Sequence, residues 1–136
     1  MDKEAGGSTT RCPGLGGYQL IVQDRDARMS LQVQRGAGAP QSLWLSQLSN
    51  GAFSALGERA EWWLDASGAP AALIVRYNAY MHPEQPERAT SFLVVVKLER
   101  PACIVGVVPA GPDQNAKARD IADGAVGMAC RANDDS

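Results

Sequence analysis

The sequence predicts an α+β domain: an antiparallel sheet of about six strands with one C-terminal helix packed on it. Three observations carry this. Met29-Ser30-Leu31-Gln32-Val33-Gln34 alternates strictly between apolar and polar, so one face packs and the other is wet. Ser91 to Leu98 is apolar on both faces and therefore needs a cover on each. Ala118, Ile121, Ala122, Ala125 and Ala129 recur at helical spacing and form a narrow stripe that can supply one cover. The alternative architecture is a small β-barrel or sandwich carrying the same C-terminal helix.

In chain order, residues 1–11 are small and polar and read as a flexible lead. Cys12-Pro13-Gly14-Leu15-Gly16-Gly17 is turn-rich, and Pro13 argues against a regular strand there. It is no dinucleotide fingerprint, because it precedes a strand instead of following one. Tyr18, Leu20 and Val22 share a face of a first strand, 18–23. Asp24 to Arg28 is short enough for a hairpin loop into the strand at 29–34.

Arg35 to Gln41 is a Gly/Ala/Pro linker, and Ser42 to Leu48 fits a short strand or a helical turn equally. Ser49-Asn50-Gly51 signals a turn, and Ala52 to Gly57 is ambiguous. Ala60 to Asp65 and Ala71 to Met81 read as two strands of a hairpin, turned by Ser67, Gly68 and Pro70. His82 to Ala89 is a polar loop. The doubly apolar run then turns at Arg100-Pro101 into a strand over 102–108. Pro109 to Pro112 break the chain, and a helix is expected from Pro112 or Asp113 to about Cys130. Lys117, Arg119, Asp120 and Asp123 form its solvent side. Gly124 and Gly127 each cost roughly 1 kcal/mol of helix propensity, through fraying or in exchange for close packing. The domain is expected to span 12–131, with 132–136 a flexible tail.

Composition excludes several function classes. At 136 residues, one domain with a real core is the simplest organisation. A net charge of -2 opposes generic attraction to nucleic acid or anionic membrane. Aromatics at 6% are too few for a base-stacking ladder. No apolar run approaches the ~20 residues that span a bilayer, so membrane insertion is not expected. The lone histidine, His82, has no second histidine to share a metal, and no cofactor motif is present.

Three cysteines occur, without a C-x-x-C pair. Cys103 and Cys130 read as a structural pair that ties strand to helix. Cys12 is then a free thiol, an intermolecular partner or an alternative mate. Structural pairs persist in oxidising compartments, which favours a periplasmic or secreted protein over a cytoplasmic one. The first residues lack the apolar core of a signal peptide, so export implies one already removed.

Several stretches together resemble a group of small uncharacterised exported proteins of Gram-negative bacteria. They are Cys12-Pro13-Gly14 before Gly17-Tyr18, the Asp24 to Arg28 turn, Leu56-Gly57 leading to Glu61-Trp62, and Ala72 to Tyr77. Cys103 with Cys130, through Asn115-Ala116 and Ile121-Ala122-Asp123, completes the likeness. The resemblance spans Cys12 to Cys130 and implies export and a Cys103–Cys130 disulfide. It brings no activity. Trp63 stands where that pattern has an arginine after Glu-Trp.

The candidate binding residues are Asp24, Arg25, Asp26, Arg28, Glu61, Trp62, Trp63 and Arg76. Asp24 to Arg28 is the densest charge cluster, either a solvated turn or a recognition loop. Glu61 and Arg76 are expected to face each other across the 60–80 hairpin. Adjacent tryptophans in a strand point to opposite faces, so one is core and the other a candidate contact residue. These features fit a small exported binding protein, for instance an inhibitor or immunity-type protein, whose partner is a protein or cell-envelope component. Two alternatives remain: an enzyme with a site assembled from Asp24, Glu61, Arg76 and His82, and a structural subunit of the envelope.

Overall fold

Strands alternate in side-chain direction, so the two faces of each segment dictate what it packs against. The computed structural model describes residues 7–25, 28–43, 53–80, 84, 89–98 and 102–130. Among these residues there are eight strands and one α-helix. Strands β1 (Gly7–Pro13), β2 (Tyr18–Arg25), β3 (Arg28–Arg35) and β4 (Gln41–Ser42) form one antiparallel sheet in chain order. Strands β5 (Phe53–Leu64), β6 (Pro70–Tyr80), β7 (Thr90–Lys97) and β8 (Cys103–Pro109) form a second. The helix α1 (Gln114–Asp123) follows, then a 3-10 turn at Ala125–Gly127.

The α+β class therefore holds: a mainly antiparallel structure with one C-terminal helix. The single sheet of about six strands does not. Leu20, Leu31 and Val33 of the first sheet share one core with Leu73, Val75, Val94 and Val96 of the second. Ile74, Leu93, Val95 and Val108, on the opposite face of the second sheet, pack against Ala118, Ala122 and Ala125. The order of layers is sheet, sheet, helix. The first sheet has only one apolar face, and it buries that face by stacking on the second sheet instead of extending it. At one corner the sheets touch without merging. The Met29 N–H donates to Ser54 Oγ at 3.0 Å, so a side chain takes the place of a backbone ladder.

The six expected strands fall on β2, β3 and β5 to β8, with Asp65, Leu98 and Ala102 just outside the observed ends and Met81 outside the described residues. Two strands were not expected. β1 occupies part of the stretch read as a flexible lead, pairing its backbone with β2 from Gly7 to Pro13. It has no apolar alternation because an edge strand needs only its backbone to pair. Pro13 ends the strand instead of forbidding it, as proline does at sheet edges. Gly16 and Gly17, with φ of 60° and 85°, turn the chain into β2. β4 is two residues long and too short to leave a pattern. The undecided segment 44–48, the Ser49-Asn50-Gly51 turn and most of the 82–89 loop lie outside the described residues.

The helix is shorter than expected. α1 stops at Asp123, Gly124 caps it, and the chain is extended by Met128, so Cys130 lies beyond the helix. Ala129, the last member of the stripe, is exposed. Two glycines within four residues account for the early end. Asp113 makes no side-chain cap. Gln114 instead ties the helix start to the sheet, donating from Nε2 to Ser91 O at 3.1 Å and Val108 O at 3.2 Å.

A bulge in β8 allows the helix to sit close. Val95 pairs with Gly106 and Val96 with Ile104, which leaves Val105 extra and turns both Val105 and Gly106 toward α1. A Cβ on Gly106 would stand 3.0 Å from Ile121 Cδ1 and Cγ2. Past the helix, Cys130 is bonded to Cys103 with Cα atoms 5.6 Å apart, and Lys97 Nζ donates to Met128 O at 2.8 Å.

Two outcomes follow. Gly106→Val forces α1 outward and lowers stability by about 1–3 kcal/mol, read as a fall in the urea midpoint. An unchanged midpoint would show that the close contact is not needed. Replacing both Cys103 and Cys130 by serine removes a cross-link of sequence separation 27. The loss is about 3–4 kcal/mol by chain entropy, checked by the same unfolding curve.

Candidate functional site

The candidate residues fall on two sides of the second sheet and on the β2–β3 hairpin. Trp62 and Trp63 point to opposite faces of β5, as adjacent strand residues must. Trp62 faces the first sheet, its ring centroid 6.3 Å from that of Tyr18. Trp63 faces the helix, and its Nε1–H donates to Glu61 Oε2 at 2.9 Å. Each is half-buried.

Glu61 does not face Arg76. It lies opposite Ile74, because the turn closed by the Asp65 N–H and the Ala69 carbonyl sets Ala60 to Trp63 against Val75 to Ala72; farther along, a bulge between Leu56 and Ala60 places residues 57–59 against Arg76. The Glu61 carboxylate instead accepts a fork from α1, with Arg119 Nε at 3.1 Å from Oε2 and Nη2 at 3.1 Å from Oε1. The Arg119 hydrogen bond holds the Glu61 carboxyl below its ordinary value of 4.5. Arg119 is itself pushed up by Glu61. The Glu61 and Arg119 side chains are 41% and 56% exposed, so solvent screens the pair and it adds little to stability. Arg76 donates from Nη1 to Ser91 Oγ and to Gln114 Oε1. Both charges thus anchor the helix.

Asp24 is half-buried in β2, opposite Met29 and Ser8. Arg25 and Arg28 are backbone partners across the β2–β3 hairpin. Asp26 lies outside the described residues, as does His82. Asp24 belongs to the first sheet, whereas Glu61 and Arg76 lie on the helix side of the second. These three do not converge on one cavity. In the 65–70 turn, the Ser67 hydroxyl and the backbone N–H of Ala69 bond to Asp65 Oδ1 and lower its pKa from 3.8. The Ser67 N–H bonds to the same oxygen at 2.8 Å, so these contacts are all local to the turn. Among the described residues, no group of three or more His, Cys, Asp or Glu side chains gathers to hold a metal ion. No described helix is long and apolar enough to cross a membrane.

Two cavities are lined by residues of both halves of the chain. A cavity of about 440 Å³ opens between β1–β3 and β5–β6, lined by Leu20, Leu31, Leu56, Trp62 and Val75. Cys12, half-buried and unbonded to sulfur, lies in the same wall. No charged side chain lines it among the described residues. The β1–β2 turn presses on its tryptophan, since a Cβ on Gly14 would come within 2.7 Å of the Trp62 ring. A second cavity of about 320 Å³ is lined by Tyr18, Val33, Arg35, Gln41, Leu98 and Ala102. The sequence marks the apolar faces that meet here. It does not mark the gap, which depends on small residues, Cys12, Gly57 and Ala60, falling opposite one another.

Comparison with protein-family models, with curated proteins and with solved structures finds no match to this chain.

The Glu61 carboxyl gives a direct check. In Arg119→Gln its NMR titration midpoint should rise toward 4.5, the ordinary value. A depressed carboxyl contributes stability that is complete above its unfolded-state value and lost as pH falls through the folded one. The wild type should therefore be slightly the more stable of the two at neutral pH, the gap closing in acid, as read from urea midpoints at both pH values.

Proposed function

We propose that this chain is a small exported binding protein whose ligand enters the apolar cleft between the two sheets. The observation that carries the reading is the cavity of about 440 Å³ walled by Trp62, Leu20 and Leu31. Its size lies in the range of small-molecule sites, and its apolar lining suits an uncharged apolar ligand or the apolar portion of a cell-envelope component. The Trp62–Trp63 pair is the best hint of a partner in the sequence, and Trp62 lies in the wall of this cleft. Export is supported by the disulfide, since such bonds persist in oxidising compartments, and by the resemblance to exported proteins of Gram-negative bacteria. An inhibitor or immunity-type protein is one case of this class, the partner inserting an apolar side chain where a small ligand would sit.

An enzymatic role has less support. Glu61 and Arg76 have hydrogen-bonding partners that explain them, and Asp24 lies on another sheet.

The test uses N-phenyl-1-naphthylamine, whose fluorescence rises in apolar surroundings, and iodoacetamide as a probe of Cys12. The dye should bind and slow alkylation of Cys12. Ala60→Phe, which fills the cleft, should weaken binding by at least about tenfold, or 1.4 kcal/mol. Folded protein that neither binds the dye nor protects Cys12 would sink the proposal.

A further inference from the structure

The second cavity, of about 320 Å³, differs in chemistry from the apolar cleft. Its walls are buried and apolar: Val33, Leu98, Ala102 and the ring of Tyr18. Arg35 lies at its rim, the guanidinium carbon 5.8 Å from the Tyr18 ring centroid. Four arginine side chains are described. Arg11 donates to Gln19 and Gln34, Arg76 to Ser91 and Gln114, and Arg119 to Glu61. Arg35 alone among them has no acceptor among the described residues, and its side chain is exposed. A guanidinium held over a ring keeps its plane, and the donors along its edge stay available.

Gln41 adds a second donor. Its Oε1 accepts from the Ala102 N–H at 2.6 Å, which fixes the amide orientation and leaves the NH2 group without a partner among the described residues. No acidic side chain is present among the described lining residues. One cation, a neutral donor and an apolar recess are thus brought together, with no anion among the described residues that line them.

We propose that this cavity binds a free amphipathic monoanion, a carboxylate on a short apolar chain. The carboxylate is taken by the edge of Arg35 and by the Gln41 NH2, and the chain lies against Val33 and Leu98. A planar carboxylate fits because the guanidinium offers two parallel N–H groups. A single positive charge suits one negative charge. This site is separate from the apolar cleft and does not depend on that cleft being filled.

Isothermal titration of the full chain with octanoate and with octanol tests the proposal. Octanoate should bind, and octanol at least tenfold more weakly. Arg35→Gln should lose that preference, while Arg35→Lys should keep part of it. Circular dichroism confirms folding, which an exposed side chain should not alter. Ala102→Leu, which fills the recess, should abolish binding of both. Octanoate should leave the rate of Cys12 alkylation unchanged. Equal affinity for octanoate and octanol, an unaffected Arg35→Gln, or protection of Cys12 by octanoate would each overturn the assignment. So would binding to phosphatidylglycerol vesicles without any binding of octanoate, which would make the surface a membrane contact.

Discussion

The structure depends on the absence of a wet face on β7. Val94, Val95 and Val96 have no solvent exposure, and they point alternately toward the first sheet and toward the helix. Burying a side chain of this size contributes roughly 1.5–3 kcal/mol, and that contribution is kept only while both covers stay in place. Neither cover can bury its own apolar side elsewhere. The first sheet has one apolar face, and α1 has only a stripe of alanine with Ile121 beside it. The central strand therefore fixes the number of layers and their order.

The two interfaces it creates differ in spacing. An alanine-lined helix over a glycine bulge can approach closely, and contacts of 3.0 Å to a notional Cβ at Gly106 leave no room for a ligand. Stacked sheets lie about 10 Å apart and must be filled by large side chains from both faces. Where Cys12, Gly57 and Ala60 meet at the open edge, the filling falls short, and a cavity remains. Polar tethers are concentrated on the helix side. Arg76, Ser91 and Gln114 hold the start of α1, and Glu61 with Trp63 holds Arg119. Of the charged residues that look available for chemistry in the sequence, Glu61 and Arg76 are occupied in keeping the helix down.

Much of this was legible in the residues. Strict alternation at 29–34 located a one-sided strand, and the run 91–98 called for two covers. What was lost had local physical causes. β1 is polar on both faces and is held by backbone pairing, which leaves no hydrophobic period to read. The 65–69 turn sets the register that puts Glu61 opposite Ile74 and not Arg76, and no pattern of side chains announces the bulge at 57–59 that follows. The helix ended at Gly124, where propensity outweighed the alanine stripe. The cavities were invisible because a gap arises from distant small residues meeting. Arg35 went unremarked for a similar reason, since only the fold brings it over Tyr18.

The placement of the disulfide sets the cysteines apart. Cys103 lies on β8 and Cys130 in the extended segment after the helix, and the loop they close contains no residue of the first sheet. Each sheet is built in chain order from neighbouring strands, so its contacts are local in sequence. Cys12 lies on the first sheet, in the wall of the cleft. The cross-link is thus confined to the second half of the chain, and the third thiol stands on the other sheet from Cys103.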